Sequence, residues 1–142
     1  MLEQTLFRLL AAAILAVLGW ASWKLLGRYV LGRARSEASD GAGLPAGFVP
    51  GLPGLLVFGS PECRTCVSAQ KPAVRTLADR LGSSVQILDV DVTSQPELAE
   101  RYGVLSLPTI FVLDQTGSPQ KVNHGFVASG ELQRQLAPYL IA

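Results

Sequence analysis

The chain has 142 residues and is nearly neutral, with 12 Lys and Arg against 11 Asp and Glu, and it carries two cysteines. That length admits one domain of ordinary size, and the balanced charge, with no basic stripe interleaved with aromatics, leaves no electrostatic basis for a nucleic-acid partner. Two cysteines three positions apart cannot staple distant loops, so any bond between them is local and chemical, not a scaffold.

The first element is apolar. From Leu9 to Trp23 no residue is charged, and with Lys24 and Arg28 extending their charged ends outward the span reaches about 20 residues, enough to cross a bilayer. Trp20, Trp23 and Tyr29 suit the membrane interface. A cleaved signal peptide is disfavoured because Arg8 is the only early cation, Glu3 stands near it, and no small-x-small cleavage site follows. A buried helix of the domain is the plainer alternative. Residues 1–35 are therefore expected to form a single-pass membrane anchor with a basic flank. Lys24, Arg28, Arg33 and Arg35 follow the span while only Arg8 precedes it. This asymmetry favours a cytoplasmic domain over an extracytoplasmic one.

Residues 36–53 are rich in Gly and Pro and read as a linker. Leu44, Phe48, Val49 and Leu52 suggest that its second half lies along the surface of a domain covering residues 54–142. There "LLVF" predicts a buried strand ending at Gly59-Ser60-Pro61. Val67, Val74, Leu77, Ala78 and Leu81 recur at helical spacing, and Gly82 supplies a stop. "SVQILDVDV" predicts a central strand apolar on both faces, with Asp89 and Asp91 sharing one of them. Ser94 and Glu97 form a capping-box pattern for a short helix. "TIFVL" and "QKVNHGFV", joined by "DQTGSP", predict a hairpin, and a last helix is expected from Ser129 to Leu140. The order is strand, helix, strand, helix, strand, strand, helix, an α/β pattern containing one parallel crossover.

Cys63 and Cys66 fall at the first strand-to-helix junction. At the first turn of a helix they would share one face within reach of a disulfide. The helix amino terminus favours a thiolate at Cys63, Arg64 adds to that effect, and Glu62 opposes it. A pair of buried apolar cysteines is the alternative reading. His124, the only histidine, reads as a strand residue, with a metal or proton role as the rarer option.

The C-x-x-C at that junction, "RYGVLSLPTIFVLDQTG" and the closing "GFVASGELQRQL", in that order, resemble the thioredoxin superfamily over Leu55 to Ala142. The resemblance implies a central mixed sheet flanked by helices, here behind the amino-terminal span. It implies a dithiol with Cys63 as nucleophile and Cys66 as resolving thiol, and a cis peptide bond before Pro108 that lets Leu107 and Pro108 meet an extended substrate. The expected activity is reduction, less readily oxidation, of protein disulfides. The redox-active pair would need no bound cofactor or metal, and an upstream thiol reductase or membrane electron donor would supply it. A copper carrier of the same fold, using Cys63, Cys66 and His124, is the alternative. The chain departs from the family pattern at several places. Glu62 replaces the usual Trp, Arg64-Thr65 replace Gly-Pro, and Val57 stands where a buried acid is usual. Pro72 comes one residue late, and no full first strand and helix precede Leu55.

Overall fold

A computed structural model of the chain describes residues 1–39 and 44–140; residues 40–43 of the predicted linker and the last two residues lie outside the described set. Helix α1 covers Leu2–Ser39, followed by strand β1 (Gly54–Gly59), helix α2 (Lys71–Leu81), strand β2 (Gln86–Asp91), helix α3 (Pro96–Arg101), strands β3 (Thr109–Leu113) and β4 (Pro119–His124), and helix α4 (Ser129–Leu136). The sheet order is β2-β1-β3-β4. β1 runs parallel to β2 and antiparallel to β3, which pairs antiparallel with β4.

Alternation along the strands builds two cores. Leu55, Val57, Ile110 and Val112 face α2 and α4, where Val74, Leu77, Leu132 and Leu136 meet them. Leu56, Phe58, Phe111 and Leu113 face the other way, toward Tyr102 and Ala99. There Phe58, Tyr102 and Phe111 pack with ring centroids 5.2 to 5.8 Å apart.

Helix α1 completes that second core. It passes the predicted boundary at residue 35, and Val30 and Ala34 are only 1% and 0% exposed among the residues around Tyr102. Arg33 Nε donates to the Arg101 carbonyl at 3.1 Å, and Arg35 donates to the Pro119 carbonyl at 2.7 Å and to Gln120 Oε1 at 3.1 Å. Two of the four cations that follow the apolar run therefore also fix the helix to the domain. The earlier part of α1 is different in kind: Glu3–Ser36 contains a window of mean hydropathy 1.9, none of it buried. A single helix is thus an apolar rod at one end and a piece of the core at the other.

The described part of the predicted linker does lie on the domain. Gln86 donates to the carbonyls of Val49 and Leu52 and accepts from the Val49 amide. Phe48 packs against the core that contains Tyr102.

Four predicted details are corrected. β2, expected as a central strand covered on both faces, is instead the edge strand beside β1, only partly buried and with Asp89 exposed. Ser94 does not cap α3; Gln95 precedes the helix without a side-chain cap, and Pro96 sets the first turn. Ser94 Oγ instead donates to the Asp91 carbonyl at 3.1 Å, inside a turn that Asp91 and Thr93 organise. β4 stops at His124 because Gly125 takes φ +84°. The last α-helix ends at Leu136 and tightens to a 3₁₀ turn over Ala137–Tyr139, where Pro138 has no amide to continue the ladder.

Candidate active site

The helix after β1 begins at Arg64, directly after Cys63, and its Cys66–Gln70 portion is a π turn that leads into α2. The Lys71 amide donates to the Cys66 carbonyl, five residues back. A π turn accommodates one residue more than an α turn. Its position between Cys66 and Pro72 accounts for the late proline noted in the sequence.

Cys63 and Cys66 form a disulfide with Cα atoms 5.2 Å apart. Cys63 is half-buried and Cys66 is 3% exposed, so a substrate meets Cys63 first. The Cys63 amide donates to Ser60, and the Cys66 amide donates to Cys63 Sγ at 3.2 Å. That second contact is available to stabilise negative charge on Cys63 once the bond is reduced. Glu62 and Arg64 flank Cys63 and are both exposed.

The peptide bond between Leu107 and Pro108 is cis, as the resemblance implied. The Pro108 carbonyl accepts from the Gly125 amide at 2.8 Å. The Leu107 amide and carbonyl have no partner among the described residues. Phe126, half exposed and next to Gly125, adds an apolar edge beside this loop that the sequence reading did not single out.

Behind the disulfide is a cavity of about 420 Å³ lined by Gly59, Cys66, Gln70, Asp89, Asp91 and Pro108 among others. Gly59 leaves room there: a Cβ at that position would lie 3.4 Å from Cys66 Sγ. Asp89 pairs in register with Val57. The face left undecided in the sequence is therefore the one toward α2, and a carboxylate sits one strand over from the position where the family usually buries its acid. Asp91 is occupied by the hydroxyl and amide of Thr93, which hold its carboxyl below the ordinary range. Asp89 has no hydrogen bond or ion pair among the described residues.

Gln70 is the residue that sequence reasoning missed. It is 1% exposed, its Nε2 donates to the Val127 carbonyl at 3.0 Å, and its Oε1 accepts from the Val127 amide at 2.9 Å. It joins the helix that carries Cys66 to the segment after β4. His124 is elsewhere. Its ring packs edge-on against Trp23 of α1, 6.1 Å between centroids, and lines a cavity that contains neither cysteine. Among the described residues no group of three His, Cys, Asp or Glu side chains could hold a metal ion. The set required for a copper carrier is not assembled.

The family model for thioredoxin matches residues 52–137. The chain belongs to the thioredoxin family. It is 31% identical over 86 residues to thioredoxin of Bacillus subtilis (strain 168), covering 61% of this chain and 81% of that one. It is 28% identical over 89 residues to thioredoxin of Porphyra purpurea, covering 63% and 81%. Among solved structures it resembles thioredoxin-2, described as a component of the malaria parasite protein secretion machinery. That match has a TM-score of 0.58 and 26% identity over 61% of this chain and 82% of the other. With family, fold and cysteine pair in agreement, this thioredoxin domain is a thiol-disulfide oxidoreductase.

Proposed function

We propose that the protein is a single-pass, membrane-anchored thioredoxin that reduces protein disulfides. The observation that carries the reading is the accessible Cys63 in front of a buried Cys66, beside a Leu107 backbone left free to pair. An extended substrate segment hydrogen-bonds to Leu107 across the Pro108 loop. The Cys63 thiolate, favoured by the helix start and Arg64 and opposed by Glu62, attacks one substrate sulfur. A mixed disulfide forms and the other substrate sulfur leaves as a thiolate. Cys66 then loses its proton and attacks Cys63 Sγ. The second substrate thiolate departs, the Cys63–Cys66 disulfide closes, and two electrons have passed to the substrate. Asp89, on the wall of the cavity with Cys66, accepts that proton through water. The pair carries the electrons itself with no bound cofactor, and an upstream thiol reductase or membrane electron donor restores the dithiol.

Anchoring, in preference to cleavage of a signal peptide, is supported by the continuity of α1. Cleavage after the apolar run would fall in or near a helix that also supplies Val30 and Ala34 to the core. The cations after the span support a cytoplasmic domain. Reduction potential tests the direction: the pair is expected near about −270 mV in glutathione buffers, and a value near about −120 mV would indicate an oxidant and an extracytoplasmic domain. Cys66→Ser is expected to trap a substrate on Cys63, and Cys63→Ser to abolish activity.

A further inference from the structure

Where the apolar run of α1 ends, the helix lies across β4 and leaves a cavity of about 350 Å³ between them. Its lining includes Lys24 and Arg28 from α1 and Lys121 and His124 from β4, with no carboxylate among the lining residues. Lys24 and Arg28 form no ion pair among the described residues, and the Lys24 ammonium lies over the Trp20 ring at 5.7 Å. Lys121 reaches Glu131 only at 3.9 Å, with both side chains well exposed. His124 Nε2 is buried and has no hydrogen-bond partner among the described protein groups. Three cations thus converge on a space whose lining holds no acid, with only Lys121 weakly paired outside it, next to a buried nitrogen whose desolvation is uncompensated.

We propose that this cleft binds the phosphate of an anionic lipid headgroup. The proposal rests on the membrane-spanning reading of α1, since that reading sets the height of the site. Trp20 and Trp23 belong at the bilayer interface, about two turns and one and a half turns before Arg28, and this is the level of lipid phosphates. Lys24 and Arg28 supply charge from the helix, as any basic flank would. Lys121 and His124 come from the far end of the chain and close the site from the domain side. A phosphate oxygen is an acceptor both for the ammonium of Lys121 and for a protonated Nε2 of His124. The bound headgroup would bridge anchor and domain, holding β4 against the membrane surface.

The full chain reconstituted into vesicles of equal phosphatidylcholine and phosphatidylglycerol provides the test. After gentle detergent extraction, retained lipids are identified by mass spectrometry, and a carbonate wash of the same vesicles reports insertion separately. Wild type is expected to resist carbonate and to retain phosphatidylglycerol preferentially. Arg28→Gln and Lys121→Gln should each reduce that retention about fivefold, the size expected of one cation at a membrane surface. Arg80→Gln, an equal charge change on the exposed side of α2, should not, and disulfide reduction by Lys121→Gln should be unchanged. Retention that falls with Arg28→Gln but not with Lys121→Gln would reduce the site to a generic basic flank and overturn it. Release by carbonate would remove the spanning reading and the lipid site together. A change in tryptophan fluorescence on adding inorganic phosphate in neutral micelles, dependent on Lys121 and without lipid preference, would assign the cleft to free phosphate and overturn the lipid assignment.

Discussion

Replacing Gln70 with Leu tests whether one buried amide holds the active-site helix to the segment beside the cis-proline loop. The side chain is almost wholly buried and makes two hydrogen bonds to Val127, at 3.0 and 2.9 Å. Leucine fills a similar volume but leaves the Val127 amide and carbonyl without partners, at about 1–3 kcal/mol for each buried group. Val127 is itself half-buried, so water recovers part of that cost, and burying leucine instead of an amide recovers a little more. A net loss of about 2–3 kcal/mol remains, which for a domain of this size lowers Tm by about 10–20 °C. Scanning calorimetry of the full chain in mild detergent measures it. Gln70→Glu sharpens the test. Its carboxylate can still accept from the Val127 amide but faces the carbonyl, so its pKa is raised in the folded state. The resulting penalty is absent below the unfolded value of about 4.3 and grows as pH rises through the folded one. The Gln70→Glu variant should therefore match wild type more closely at pH 4 than at pH 7. A Tm within about 3 °C of wild type for Gln70→Leu, or no pH dependence of the difference for Gln70→Glu, would refute the reasoning.

Asp89→Asn should lengthen the lifetime of the mixed disulfide about tenfold or more at pH 7 while leaving its rate of formation unchanged; stopped-flow measurement with a fluorescent disulfide decides, and an unaltered lifetime rules Asp89 out as the proton acceptor. Asp114 closes the β3–β4 turn. Burial pushes its carboxyl up, but hydrogen bonds from the hydroxyl and amide of Thr116, the Ser118 amide and Gln120 outweigh this and hold it below the ordinary range. A carboxyl lowered by folding contributes stability that is complete above its unfolded pKa of about 3.9 and lost as pH falls through the folded value. Asp114→Asn should flatten that acid limb in calorimetric scans between pH 5 and pH 2, and an unchanged limb would contradict it. Gly54→Ala should cost about 2–3 kcal/mol in the same assay, because its Cβ would lie 2.6 Å from the Gln86 carbonyl oxygen on the paired strand; near-wild-type stability would show that the strands can separate at little cost.

The strands and the dithiol were legible because both are local signals. "LLVF" and "TIFVL" are buried on both faces, and short apolar runs bounded by turn residues carry that information directly. Cys63, Cys66 and Pro108 were placed by the order of their motifs. What the sequence concealed depends on contacts distant along the chain. Gln70 in a helix reads as a surface residue until Val127 is brought beside it, 57 positions later. The π turn was masked because Val67 fits the apolar spacing of Val74, Leu77 and Leu81, whereas it is 45% exposed; the late Pro72 was the trace of the extra residue. Asp89 acquired meaning only when strand register set it opposite Val57. Ser94 and Glu97 satisfied a capping pattern, but Pro96 fixes the helix start by itself, and Asp91 and Thr93 form a turn of their own. Val30 and Ala34 were hidden because a bilayer accounts for apolar residues as well as a protein core does.

Because α1 enters the core without a break, rotation of the apolar rod about its axis turns the whole domain with it. Each residue inserted between Trp23 and Val30 would advance the dithiol by about 100° around the rod and lift it by about 1.5 Å. A thiol-disulfide oxidoreductase on a slack leash explores a hemisphere of clients. In the membrane-anchored reading proposed above, Cys63 instead sweeps a ring at one height, and the clients it can serve are those whose disulfides come within reach of that ring.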